Sequence, residues 1–122
     1  MDINELQALA VEFSRKRADK KGFKLTPELS YIHLTEEVGE IARQLFNKES
    51  RPELYDKENL KEEVIDVILV GMILSDLVGV KDLSGEIRKK LDALNKRYGF
   101  SQLDSAGKRN VIEFTAISKN RA

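Results

Sequence analysis

The chain contains no cysteine, one histidine and two prolines among its 122 residues. Without cysteine there can be no disulfide, no thiolate nucleophile and no zinc site built on sulfur, which is compatible with a reducing compartment. A single histidine excludes a His-rich metal site within one chain. Neither charge sign dominates: 21 Lys+Arg stand against 21 Asp+Glu, so no overall attraction to nucleic acid is expected. The opening MDINELQALA carries acidic residues where a secretory leader needs basic ones. The longest unbroken apolar run, Val67 to Leu74, is far short of the roughly 20 residues that span a bilayer. These absences predict a cytoplasmic protein with neither nucleic acid nor a membrane among its partners. What is present, 41% hydrophobic and 34% charged residues, suits one compact domain with a single core.

Hydrophobic periodicity predicts four helices. The first runs from Ile3 to about Lys20, with Leu6, Leu9, Ala10 and Phe13 on one stripe and a basic tail of Arg15, Lys16, Arg17, Lys20 and Lys21. Gly22 ends it, and Thr26-Pro27 reads as an N-cap followed by a first helical residue. The second helix carries Leu34, Val38, Ile41 and Leu45 to about Lys48. A polar connection follows from Glu49 to Lys57. The third helix covers about Glu58 to Val78 before Gly79. It is apolar on nearly every side beyond Asp66, which predicts burial by neighbours. A fourth helix, capped by Asp82 or Ser84, reaches about Tyr98 before Gly99. The fold expected is all-α, with residues 1–100 as a helical domain and 101–122 as a C-terminal tail. Within that tail, Val111 to Ile117 has the β-branched and aromatic composition of a strand.

Two acidic clusters carry the chemistry: Glu36-Glu37-Val38-Gly39-Glu40 in the second helix and Glu62-Glu63-Val64-Ile65-Asp66 in the third. Residues three apart lie about 60° apart around a helix, so Glu37 and Glu40 share one side, as do Glu63 and Asp66. Like charges at that spacing repel. Acid runs on helices are commonly solvated faces, and Glu36, opposite the apolar stripe, fits that reading. Glu63 and Asp66 do not, because they share an edge with Val70, Ile73 and Leu77. A carboxylate there needs a partner, and no Lys or Arg lies between Val64 and Val80. A metal is the simpler partner. Packed together, the two helices would converge Glu37, Glu40, Glu63 and Asp66, an all-oxygen set suited to Mg²⁺ or Mn²⁺ working with phosphates. Gly39 fits either close helix approach around that site or ordinary tight packing. His33 reads as a packing or surface residue. Phe13, Phe23, Tyr31 and Phe46 read as core, or as surfaces for stacking a base.

The two half-motifs together resemble the MazG-like all-α nucleoside triphosphate pyrophosphohydrolases. Their EExxE is read here as Glu36, Glu37 and Glu40 within LTEEVGEIARQL. Their ExxD is read as Glu63 and Asp66 within KEEVIDVILVGMILSDLVGV. The resemblance covers most of Ile3 to Tyr98. It implies a four-helix-bundle-like fold, a homodimer or homotetramer, and cleavage of a (d)NTP between its α and β phosphates to a monophosphate and pyrophosphate. It also implies that Glu37, Glu40, Glu63 and Asp66 hold Mg²⁺. Catalytic roles then fall to Glu36, Glu37 and Glu40, one of them accepting the proton of water. In KKLDALNKRY, Lys90 stands at the family's phosphate-binding lysine, whereas Leu94 occupies the place of its asparagine. Lys90 thus reads as a substrate ligand or as a surface lysine. A phosphoribosyl-ATP pyrophosphohydrolase and a non-catalytic nucleotide- or protein-binding oligomer are the competing readings.

Overall fold

The structure, a computed structural model, describes residues 1–100, and these are helical throughout apart from short connections. Helix α1 spans Ile3–Lys21, α2 Pro27–Ser50, α3 Lys57–Leu77 and α4 Leu83–Arg97, with a 3-10 turn over Pro52–Leu54. The expected 101–122 tail and its strand-like segment lie outside the described residues. No helix among the described residues is long and apolar enough to cross a membrane.

Local signals set the boundaries. Asp2 accepts a hydrogen bond from the Glu5 N–H (2.9 Å), Thr26 from Leu29 (3.2 Å) and Asp56 from Asn59 (3.0 Å), so α1, α2 and α3 each begin on a side-chain cap. Gly22 closes α1 at φ +80°, where a side chain would be strained, and its N–H returns to Ala18 and Asp19 carbonyls.

Two compact units divide the chain, Met1–Leu83 and Ser84–Ala122. In the first, α2 and α3 form an antiparallel hairpin: Gln44 meets Asn59 near the connection, and Glu37 meets Glu63 further along. Helix α1 lies against α3 and is tied to it by Gln7, whose Nε2 donates to Ser75 Oγ (2.9 Å) and to the Val80 carbonyl (3.0 Å). In the second unit, the Phe100 N–H donates to the carbonyl of buried Asn95 (2.7 Å), and the Tyr98 and Phe100 rings stack at 6.1 Å.

The apolar stripes are less covered than their periodicity predicts. Among the described residues the buried apolar ones are few: Ala18, Val70, Met72, Ile73 and Leu83. Helix α1 buries Gln7, Ser14 and Ala18, while Leu6, Leu9 and Phe13 of the expected stripe are exposed, Phe13 at 64%. On α2, Leu34 and Ile41 are half-buried, but Val38 and Leu45 are exposed. The expected burial of α3 on all sides is corrected in the same way. Val70, Met72 and Ile73 are buried, whereas Ile65, at 55%, Ile68 and Leu69 face outward. The physical reason is geometric: α1 and α2 cover only part of the circumference of an all-round apolar helix. None of Phe13, Phe23, Tyr31 and Phe46 belongs to the core; all four are exposed. Gly39 also departs from both of its expected roles, because a Cβ built there meets nothing within 4 Å.

Candidate metal centre

Helical spacing assembles the site. Gln44 lies seven residues after Glu37, nearly two full turns along the same edge of α2. Asn59 lies one turn before Glu63 on α3. Gln44 Nε2 donates to Asn59 Oδ1 at 2.7 Å, and Gln44 Oε1 accepts from the Asp56 N–H at 2.9 Å. Both ends of one amide are thus used to lock α2 against the start of α3. This clamp fixes the register of the hairpin, and the register brings the carboxylates opposite one another.

Glu37, Glu63 and Asp66 each offer an oxygen within 4.8 Å of the others, and all three are half-buried. The cost of this arrangement registers on Glu63, whose pKa is raised above the ordinary carboxylate value. The largest cause is a hydrogen bond with Glu37 that favours the protonated acid, followed by desolvation and by the negative charges of Glu37, Asp66 and Glu40. His33 Nε2 lies 3.0 Å from Glu37 Oε1, so Glu37 is held from its own helix as well. Three oxygens from carboxylates, repelling one another at this range, fit a hard divalent cation.

Of the residues singled out by sequence, Glu37, Glu63 and Asp66 converge. Glu40, half-buried on α2, stands outside that trio, yet its charge still reaches Glu63. Glu36 is exposed. Lys90 is exposed on α4, in the second unit.

Beside the carboxylates lies a cavity of about 430 Å³. Glu37 and Asp66 form part of its wall, and Leu6, Leu9, Phe13, Leu69, Val70 and Ile73 supply most of the rest. No protein-family model, curated protein or solved structure matches this chain. The functional reading rests on the residues themselves.

Sequence reasoning missed several contributors. Gln44 was legible in principle, because it shares the edge of Glu37. Arg17 was not: within a basic helix tail it reads as solvated, but it is half-buried and lines the cavity. Ser14, buried and part of the same cavity wall, gave no signal in a one-dimensional pattern.

Proposed function

We propose that the chain is a Mg²⁺-dependent nucleotide pyrophosphohydrolase of the MazG-like kind, with Mn²⁺ as a substitute ion. The observation that carries this reading is the meeting of Glu37, Glu63 and Asp66, from two helices, at the edge of a largely apolar cavity. Carboxylates alone would suit many roles. A carboxylate trio of which Glu37 and Asp66 line an apolar cavity suits a ligand that is anionic at one end and flat and apolar at the other.

Glu37, Glu63 and Asp66 would hold the ion, with Glu40 completing the set. A bound divalent cation supplies neutralisation of the charge that develops on pyrophosphate. A carboxylate among Glu36, Glu37 and Glu40 accepts a proton from water. The water oxygen bonds to the α-phosphorus, the bond from that phosphorus to the bridging oxygen breaks, and pyrophosphate leaves with the bridging oxygen. Lys90 would bind substrate phosphate.

The chain would act as a homodimer or homotetramer, as a helical bundle in the cytoplasm. Exposed Leu6, Leu9, Phe13, Val38, Ile65 and Ile68 support association, since a single chain leaves so much apolar surface uncovered.

The test is product analysis on a panel of canonical and modified (d)NTPs, with Mg²⁺ and with EDTA. Monophosphate plus pyrophosphate, only with Mg²⁺, is expected. Orthophosphate as the first product, or turnover unaffected by EDTA, overturns the reaction. Silence across the panel with turnover of phosphoribosyl-ATP moves the assignment to that substrate. Silence on both favours a binding protein. Sedimentation as a monomer overturns the oligomer.

A further inference from the structure

A second cavity, of about 460 Å³, adjoins the first and shares Ser14, Arg17, His33, Val70 and Ile73 with it. Helix α1 borders both. Leu6, Leu9 and Phe13 line the first, Lys21 lines the second, and Arg17, between them in the helix, lines both. The two walls contain no other Lys or Arg. Arg17 and Lys21 also belong to the same compact unit as Glu37, Glu63 and Asp66, which Lys90 does not.

Arg17 is the anomaly in the basic end of α1. Cations at a helix C-terminus complement its dipole, which accounts for Lys20 and Lys21 in the last turn. It does not account for Arg17, one turn earlier and half-buried. A guanidinium keeps its proton and has donors only, and withdrawing a charge from water is costly unless an anion pairs with it. Among the described residues none does, although Glu36, Glu37 and Asp66 stand on the same two walls. Arg17 Nε is shielded and unpaired. The two terminal nitrogens are unpaired too but are not cut off from solvent, so an anion can reach them. A spacing of four residues puts Lys21 on the same side of α1. Glu36 is the one carboxylate lining the second cavity with this pair. A wall with more positive than negative charge thus continues from carboxylates that fit a divalent cation.

Resting on the nucleotide reading given above, we infer that Arg17, assisted by Lys21, binds the β and γ phosphates of the substrate, the pair that leaves as pyrophosphate. The order of groups along α1 sets the direction of the ligand. Leu6, Leu9 and Phe13 take the base, and Arg17 and Lys21 take the two outer phosphates. The planar fork of a guanidinium suits pairs of phosphate oxygens. It offsets the negative charge that gathers on pyrophosphate as the bond from the bridging oxygen to the α-phosphorus breaks.

The test is equilibrium binding of inorganic pyrophosphate in Mg²⁺ by isothermal titration, with Mn²⁺ affinity in phosphate-free buffer as the control. Wild-type protein should bind pyrophosphate. Arg17→Gln should weaken that binding about tenfold or more, as loss of a hydrogen bond to a charged group does, and Arg17→Lys should recover part of the loss. Lys21→Gln should weaken it about two- to fivefold, the worth of an exposed charge. Mn²⁺ affinity should fall in none of them. A merely structural Arg17 would lower Mn²⁺ affinity along with pyrophosphate binding, and that parallel loss overturns the assignment. So does an unchanged pyrophosphate affinity in Arg17→Gln, or no binding by wild type. If Arg17→Gln does not fold, Lys21→Gln, at an exposed position, decides, and an unchanged affinity in it overturns the assignment. The hydrolase reading fails separately: an Arg17-dependent pyrophosphate site in a protein that turns over no triphosphate sinks that reading and leaves the anion subsite standing. Turnover whose kcat/KM is unchanged in Arg17→Gln does the reverse.

Discussion

The two halves of α3 are built on opposite principles. Its first half places Glu63 and Asp66 against Glu37, gathers like charges at close range and raises the pKa of Glu63. Its second half buries Val70, Met72 and Ile73 and is tied to α1 through Gln7. One helix therefore carries both an acidic edge that repels itself and three of the five buried apolar residues among those described. A repulsive cluster persists where the rest of the element holds it in place. The apolar half supplies the frame, and the polar half, clamped by Gln44, holds the acidic cluster.

Mutations in the two halves should therefore separate function from stability. Asp66→Asn should lower Mg²⁺-dependent turnover by about a hundredfold or more, as loss of groups that support a metal does. Its thermal stability in EDTA should stay level or rise, and a fall would reveal a structural partner for Asp66. Met72→Ala should do the opposite. It removes a buried side chain that lines no part of the cavity beside the carboxylates and should cost about 2–4 kcal/mol in denaturant unfolding, with the Mg²⁺ requirement unchanged. If Met72→Ala abolished turnover in fully folded protein, the division between the halves would be wrong.

Gln44→Ala sharpens the comparison at the register between α2 and α3. It breaks two hydrogen bonds and should cost about 1–2 kcal/mol. Because the clamp positions the carboxylates, Mg²⁺ affinity should weaken too, which isothermal titration would register. Gly39→Ala should raise stability by about 1 kcal/mol, the helix propensity gain, since nothing stands where the new methyl would go. A loss of oligomer in Gly39→Ala, seen by sedimentation, would instead place Gly39 at the contact between copies.

The smallest effect concerns pH. The folded-state pKa of Glu63 is raised, so folding favours its protonated form. Its contribution to stability in EDTA is fully present below the unfolded carboxylate pKa and is lost as pH rises through the folded pKa. Mg²⁺ competes with that proton, so metal affinity should climb over the same interval. Unfolding curves with and without Mg²⁺ across mildly acidic pH would show the two trends crossing. Glu63→Gln should flatten the metal-free trend.

Helix positions and the acidic edges were legible because they depend on spacing along one chain. Asp2, Thr26 and Asp56 cap the helices they precede, and Gly22 stops α1, through contacts spanning a few residues. The convergence of Glu37, Glu63 and Asp66 follows from two i, i+3 patterns once the two helices pair. Burial was less legible. Periodicity shows which face of a helix is apolar, but the number and placement of neighbours decide how much of that face is covered. Val38, Ile65 and Phe13 are therefore exposed in spite of their pattern.

The sequence by itself determined the helical character of residues 1–100, the approximate helix ends and the acidic edges, because hydrogen-bond capping and helical periodicity act locally. Only the tertiary structure decided that Gln44 locks the register, that Glu40 stands outside the close trio, and that Arg17 lines the same cavity as Glu37 and Asp66. Those facts depend on distances between residues far apart in the chain, which no local pattern encodes.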